Sequence, residues 1–455
     1  MSARRSRRVA SLAPVVATLL VVATLLVVAP LRVEARAQRP PSDTATVRIV
    51  PVGIGWARSS VNTVIFRTSS VASHGDVQYT AYYDDSGHVV LAKRTLGATT
   101  WQIARTPYTN DVTDAHNAIS LAVDGTGVLH VAWAEHNKAL HYARAVRAGS
   151  LELTPPLPIT GQREERVTYP QFYSLPNGDL LFVYRDGRSG SGDVLLDRYD
   201  VRSRAWRVVH HPLIAGEGQR NAYVNQLAID ARGGWHLSWC WRESPDVATN
   251  HDVMYAYSPD EGRSWRTSAG APYSLPITAH TAEIAWRVPE GSELINQTSM
   301  AVDDAGHPLI ATYWRAAGSE VPQFELVWHD GARWRASQVG ARTQPFRLSG
   351  GGTKRIPVSR PQLLAGRNGA VYVVFRDEER GGGITVARSA DPAHARWSLS
   401  ELLSSPVGQW EPTYDADLWR RRRQLSLLVQ RVGQGDGEKL EDVGPQPVSI
   451  LEWTP

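Results

Sequence analysis

The chain has 455 residues, a formal charge of +4 and one cysteine, Cys240. A single thiol rules out an intrachain disulfide and argues against a cysteine-based zinc site. The small charge, much of it in an N-terminal leader and in Arg420, Arg421, Arg422 and Arg423, rules out a basic stripe of the nucleic-acid-binding kind.

Arg4, Arg5, Arg7 and Arg8 precede an apolar run over residues 13–30, and Ala35-Arg36-Ala37 then has the small-x-small pattern of a cleavage site. This is the order of a secretory signal peptide. Ser6-Arg7-Arg8 adds a hint of twin-arginine export. The apolar run is nearly long enough to span a bilayer, so an uncleaved anchor is the alternative. The expected division is a signal peptide over 1–37, a linker over 38–45 and a single domain over 46–455. The product is expected to be secreted or extracytoplasmic, free of the membrane once the leader is removed.

Along the rest of the chain a turn signal followed by an alternating strand recurs. Asp84-Asp85-Ser86-Gly87 leads into 88–92, Asp124-Gly125 into 128–133, and Asn177-Gly178-Asp179 into 180–184. Residues 230–233 lead into 235–239, 303–306 into 309–314, and Asn368-Gly369 into 371–375. A looser seventh copy covers 414–429, with 420–423 as its turn. An apolar strand precedes each turn and another follows it, and Trp101, Trp206, Trp265, Trp334 and Trp397 close several units. Seven such units with almost no helical periodicity predict an all-β fold, a seven-bladed β-propeller. Residues 448–453 are expected to share a blade with 47–52 and close the ring. Ser258-Pro259-Asp260-Glu261-Gly262-Arg263-Ser264-Trp265 fits the Asp-box pattern, a structural turn remote from the functional face. The sixteen Trp and sixteen Tyr suit both sheet cores and sugar faces.

The densest chemistry lies in 114–144. His116-Asn117 and His136-Asn137 flank two alternating runs, 119–123 and 128–133, joined by Asp124-Gly125. Alternation plus Asp-Gly predicts a β-hairpin whose outer ends lie close together, so two imidazoles and two amides can share one surface. Ordinary loop histidines satisfied by backbone groups are the alternative. Inner strands end in an aromatic-Arg step at Tyr184-Arg185-Asp186, Trp241-Arg242-Glu243, Trp314-Arg315 and Phe375-Arg376-Asp377. Around one axis these arginines would form an anion-binding mouth suited to a carboxylate or sulfate, although each taken singly could pair with a neighbouring carboxylate. Tyr169-Pro170-Gln171, Asn221-Ala222-Tyr223-Val224-Asn225, Asn296-Gln297, Pro361-Gln362 and Glu411-Pro412-Thr413 stand where blades should open on the same mouth, and they suit sugar hydroxyls. Asn250-His251-Asp252 lacks further ligands at suitable spacing, so no metal site is expected there. Residues 433–438 (GQGDGE) read as an exposed turn, with a structural calcium loop as the alternative.

These blocks resemble the exported BNR-4 repeat proteins. The matching stretches are VNTVIF with AYYDDSGHVVLAKR, DAHNAISLAVDGTGVLHVAWAEHN, TYPQF with GDLLFVYRDGRSGSGD, NAYVN with WRESPDVATNHD, and EPTYD with QRVGQGDGE; together they span most of the chain after residue 50. The family includes seven-bladed propeller lyases acting on ulvan, a sulfated rhamnose–uronate polymer. The resemblance therefore implies β-elimination. A base takes the proton at C5 of the uronate, an acid protonates the leaving O4, and donors hold the carboxylate so that the C5 proton becomes acidic. It places His116 and Tyr184 as base and acid, in either order, and His136 and Arg198 as neutralisers of the carboxylate. Asn117, Asn137, Arg185, Tyr223, Asn225, Arg242 and His251 are the expected substrate contacts.

The expected function is an exported, monomeric lyase of an acidic, uronate-containing polysaccharide, with no cofactor and no nucleic-acid partner. Two rivals stand beside it. A sialidase-like glycoside hydrolase suits the Asp box and the arginines, but its arginine triad and glutamate-supported tyrosine nucleophile do not assemble from these motifs. A non-catalytic sugar-binding propeller needs only the aromatics and amides.

Overall fold

The structure, a computed structural model, describes residues 46–133 and 136–455; the expected leader and linker lie outside the described residues. The described chain is all-β, with a single short α-helix, Ala416–Arg422.

Strands follow one another as antiparallel neighbours, joined by the Asp-Gly and Asn-Gly turns that the sequence marks. Val71–His74, Val77–Tyr83, His88–Thr95 and Gln102–Thr109 form one sheet in chain order. The predicted hairpin forms next: Ser120–Val123 pairs with Leu129–Trp133, which pairs with His141–Arg144. The Asp124 carboxylate accepts from the backbone N–H groups of Thr126 and Val128 in the intervening turn. Gly127 there has φ +83, which a side chain would resist.

A nine-stranded sheet follows. Its two halves begin at Val167–Ser174 and Asn221–Ile229 and are joined by a single parallel register pair, Gly192 with Asn221. Two four-stranded sheets come next, beginning at Ser299–Val302 and Gln362–Ala365. In the last sheet Leu425–Val429 pairs with Gln446–Trp453, and Gln446–Trp453 with Arg48–Gly55 from the start of the domain. The expected joining of 448–453 with 47–52 is thus present. The expected turn at Arg420 to Arg423 is instead the end of the helix, because Asp415 caps it by accepting from the Leu418 N–H and Arg423 closes it at φ 54.

Innermost strands of successive units touch: Val71–His74 lies against Ser120–Val123 and also against Leu425–Val429, and Ser299–Val302 lies against both Asn221–Ile229 and Gln362–Ala365. Polar side chains tie these strands together. Gln226 Nε2 donates to Gln362 Oε1 (3.2 Å), and the Met300 N–H donates to Gln226 Oε1 (3.2 Å). The result is a propeller-like succession of sheets. Apolar side chains fill the space between neighbouring sheets, with Trp133, Trp235, Trp239, Trp241, Trp265 and Trp410 fully buried. The Asp box behaves as expected: Asp260 accepts from Ser258, Ser264 and the Ser264 N–H, while the buried Trp265 ring donates to Gly262 O.

Candidate active site

The strands of several sheets end around one polar cavity of about 60 Å³. Its lining includes Phe66, His116, His136, Tyr169, Arg185, Ser189, Tyr223, Arg242, Asn296, Thr353, Lys354 and Arg360. Backbone irregularities aim these groups. The register shifts between Thr168 and Gln171, Val224 and Gln226, and Trp239 and Trp241, each next to a lining residue. Bulges of this kind re-aim side chains at strand ends. Tyr169 and Gln297 also hold positive φ (60° and 58°), strain that a packed functional mouth can sustain.

The two histidines of the hairpin meet, their rings stacked with centroids 4.0 Å apart. Asp114 lies between them: Oδ1 accepts from His116 Nδ1 (2.8 Å) and Oδ2 from His136 Nδ1 (2.5 Å). Glu438 Oε1 lies 3.1 Å from the same His116 nitrogen. Burial works against the charged form of His116, but the hydrogen bonds and charges of Asp114 and Glu438 outweigh it and push the imidazole up to about 9. For His136 burial prevails over Asp114, the charge on His116 adds to it, and the imidazole is lowered. Asp114 and Glu438 are both lowered despite burial, chiefly by the bonded histidines. One ring of the stack is thus an imidazolium and the other neutral at neutral pH, which avoids two like charges in contact. Potential ligand atoms of Asp114, His116 and His136 lie within 4.8 Å of one another. In this structure the 2.8 and 2.5 Å separations are hydrogen bonds from the two imidazoles to Asp114.

Facing the pair is a tyrosine held by arginines. Tyr223 Oη accepts from Arg185 Nη1 (3.2 Å) and Arg242 Nη1 (3.4 Å), and lies 3.0 Å from Ser189 Oγ. Each guanidinium also sits over an aromatic face, Arg242 over Tyr223 (4.4 Å) and Arg185 over Tyr169 (4.9 Å). Burial would raise the Tyr223 phenol, but Arg242 and then Arg185 outweigh it and lower it to about 8. The neighbouring Tyr169 phenol is raised by burial and by Tyr223. Among the described residues neither Arg185 nor Arg242 forms an ion pair with a carboxylate. Arg185 bonds to Gly187 O, Tyr223 and Thr168, while Arg242 bonds to Asn250 Oδ1, Asn296 Oδ1 and Tyr223. Arg360 is neutralised by Glu411, with both carboxylate oxygens within 3.0 Å of Nη1.

The structure therefore brings His116, His136, Arg185, Tyr223 and Arg242 together, and places other expected residues elsewhere. Tyr184 is buried against Phe182 (5.3 Å) and His211 (6.2 Å), with its hydroxyl directed at Gln162 O. Adjacent strand residues face opposite sides, so a strand that aims Arg185 at the cavity turns Tyr184 away from it. Arg198 pairs with Asp179 and with Glu261 of the Asp-box turn. It stands four residues beyond Val194, the partner of Arg185, or about 13 Å along the strand. Asn117 is wholly buried and donates to Asp111 O, and Asn225 is spent on Ser238 and the Thr298 N–H. Asn137 is exposed beside the pair, its N–H bonded to Thr168. His251 is held between Glu243 (2.9 Å) and Asp252 (3.3 Å), outside the cavity lining.

Of the four aromatic-Arg arginines, Arg185 and Arg242 reach the cavity. Arg376 is buried on the carbonyls of Ile356, Pro357 and Trp410, and Arg315 pairs with Glu293. Sequence reasoning missed Arg360 and Glu438. The signal for the first was its position immediately before Pro361-Gln362; the second lay in the 433–438 turn. In that turn Asp436 and Gly437 are exposed and Glu438 is half-buried, and the carboxylates of Asp436 and Glu438 accept from N–H groups of Arg355, Ala115 and Thr353. A larger cavity of about 260 Å³ lies at the other end of the Asn221–Ile229 strand, but of the aspartates lining it Asp230 and Asp303 are occupied with their own turns, while Asp304 and Asp417 pair with Arg423 and Arg420.

The chain is similar to known proteins along part of its length. The Alteromonas sp. (strain LOR) protein named ulvan lyase, long isoform, is 24% identical over 135 residues, which cover 27% of this chain and 14% of that protein. Its namesake from Pseudoalteromonas sp. (strain PLSV) is 25% identical over 121 residues, 25% of this chain and 12% of the relative. The matches thus span under a sixth of those relatives' lengths. Among solved structures, a PL25 ulvan lyase superposes with a TM-score of 0.65 at 14% identity, over 85% of this chain and 97% of the other; the same figures hold for that lyase bound to -[GlcA(1-4)Rha3S]-. This likeness concerns the fold. The family described as BNR repeat-containing family member matches residues 77–342, more than half the chain and nearly all the strands that carry the cavity. By that match and by the propeller-like succession of its sheets, the chain belongs to the BNR repeat-containing family.

Proposed function

We propose that this protein is a polysaccharide lyase that cleaves a uronate-containing polymer by β-elimination. One observation carries the reading: a neutral imidazole and an imidazolium, stacked and bridged by Asp114, share a cavity with two guanidiniums that hold a tyrosine hydroxyl and meet no carboxylate among the described residues.

The uronate carboxylate would take the place open to it between Arg185, Arg242 and the His116 imidazolium. Neutralised there, it acidifies the C5 proton. His136 presents Nε2 as the base, because Asp114 fixes its proton on Nδ1. The C5–H pair forms the C4=C5 double bond, the C4–O4 bond breaks, and Tyr223 gives its proton to O4. The two arginines that lower the phenol make it a better donor than an ordinary tyrosine. No water and no electron carrier enter the balance. Tyr184, expected as base or acid, and Arg198, expected as a neutraliser, thus yield to Tyr223 and to Arg185 with Arg242, and in this reading His136 is the base while His116 helps neutralise the carboxylate. The hydrolase rival needs a tyrosine supported by a glutamate, whereas the hydroxyl of Tyr223 meets arginines and Ser189.

The rest of the reading is proposed on the same footing. The nine-stranded sheet is counted as two blades, which makes seven around one axis. The polymer is ulvan-like, with sulfate a permitted substituent, and the protein works as an extracytoplasmic monomer after losing residues 1–37. The test is to incubate the purified protein with a panel of acidic polysaccharides and follow the ultraviolet absorbance of the unsaturated uronide, which only elimination makes. Absorbance growing with one or more uronate polymers is the expected result. Cleavage to saturated ends would move the assignment to the hydrolase, and binding without cleavage to the sugar-binding module.

A further inference from the structure

The 433–438 turn comes from the last sheet and His116 from the second, yet the two are in contact. Glu438 Oε1 lies 3.1 Å from His116 Nδ1 and also accepts from the Thr353 N–H (2.6 Å), while Oε2 accepts from the Ala115 N–H (3.1 Å), next to the histidine. The turn is pinned on the way: the Gly437 N–H donates to Thr353 O (2.9 Å) and the Arg355 N–H to Asp436 (2.9 Å). Glu438 itself is held at φ 66, a left-handed conformation that costs a non-glycine residue about 1 kcal/mol or more. A strained, half-buried carboxylate that satisfies backbone donors of two distant segments, and the imidazole that follows one of those donors, is built for a position.

We infer that Glu438 is a positioning residue. It shares the Nδ1–H of His116 with Asp114, so the ring keeps its charge and presents Nε2–H to the cavity where an anionic group would bind. The inference rests on the lyase reading of the site and deepens it. Asp114 alone has two imidazoles to serve. The second carboxylate lets His116 stay protonated while His136 stays neutral, and so divides one stacked pair into a donor and an acceptor. The other charged or titratable groups facing His116 are His136, Asp114, Tyr169, Tyr223, Arg185, Arg242, Arg360 and Lys354. All the cations among them disfavour its charge, which leaves Asp114 and Glu438 as its support.

The test is E438Q with E438D beside it, read first by NMR titration of the His116 imidazole in isotope-labelled protein. Glutamine keeps the size and can still accept from the Ala115 N–H, but carries no charge. The midpoint of His116 should fall by at least one pH unit in E438Q and return at least halfway to the wild-type value in E438D. For a uronate polymer that the wild type cleaves, kcat/KM of E438Q at pH 8 should fall about twofold if the midpoint drops by one unit and about tenfold if it drops by two, and less at pH 6. A folded E438Q protein with an unmoved His116 midpoint would overturn the inference, whatever the activity. A wild type without elimination activity would overturn the lyase reading and leave the titration to decide the role of Glu438.

Discussion

The tyrosine held by two arginines gives the sharpest test of the site. Tyr223→Phe removes one oxygen and almost no volume. The structure shows what is lost: an acceptor for Arg185 at 3.2 Å and Arg242 at 3.4 Å, and a partner for Ser189 at 3.0 Å. The two arginine contacts are long and both guanidiniums keep other acceptors, so the stability cost should be about 1.5–2 kcal/mol, the lower part of the range for hydrogen bonds to charged groups. The catalytic cost should be larger. Removing a general acid lowers the rate by about 10²–10⁴, equivalent to about 2.7–5.5 kcal/mol of barrier. The guanidiniums remain, so affinity for the polymer should change less than threefold, and the loss should fall in kcat rather than KM. The assay is initial rate by ultraviolet absorbance at saturating polymer, with Tyr184→Phe as the parallel variant. Tyr184 is packed away from the cavity, and its hydroxyl makes only a 3.4 Å contact to Gln162 O, so Tyr184→Phe should retain at least a third of the wild-type kcat. A folded Tyr223→Phe protein within threefold of wild type would remove Tyr223 from the mechanism, and a hundredfold loss in Tyr184→Phe would restore the residue expected from the family resemblance.

The pH profile of kcat/KM should be bell-shaped. It should rise as His136 loses its proton at a value below 6.5, and fall as Tyr223 loses its own near 8 and His116 near 9; a profile still rising above pH 9 would contradict both acid assignments. The His116 contribution to stability should be complete below pH 6.5 and disappear as pH rises through about 9, with an upper bound of about 3 kcal/mol from the displacement; urea denaturation of wild type and His116→Gln should show the difference narrowing across that window. Trp265→Ala should cost about 3–5 kcal/mol by emptying a fully buried site under the Asp-box turn, with the His116 titration unchanged, as thermal unfolding and NMR would report. Mass spectrometry of protein recovered from the secreted fraction should give a mature chain starting at Gln38; retention of residues 13–30 would favour the anchor instead.

What could be read from the sequence divides along a physical line. Short-range chemistry was legible: Asp124-Gly125 between two alternating runs specifies a hairpin, and a hairpin brings its flanks together, so the meeting of His116 and His136 followed. Arg185 and Arg242 were legible as strand-end residues. The facing of a single side chain was harder. Block similarity carries Tyr184 into the site, but strand alternation turns it out, and Arg198 fails through its distance along the strand. Asn117 and Asn225 are consumed as structural ties instead, the first within its own connecting segment to Asp111 O and the second between neighbouring units to the Thr298 N–H. Arg360 carried only the faint signal of its place before Pro361-Gln362, and Glu438 was out of reach because the last sheet meets the second only when the ring closes. The hydrogen bond from Ala115 to Glu438 spans 323 residues, and no local pattern encodes a contact of that length.

The pairing of Arg48–Gly55 with Gln446–Trp453 has a consequence in time. The first strand of the domain is made early and finds its partner only after nearly every other residue has been synthesised. Until then Arg48–Gly55 and Leu425–Val429 both present unpaired edges, and loop closure over almost 400 residues must precede the reward of the contact. Units in the middle of the chain can fold as they appear, while the two ends wait. A chain stopped short of residue 446 would keep all its middle sheets and still carry two open edges, the kind that templates association with other copies.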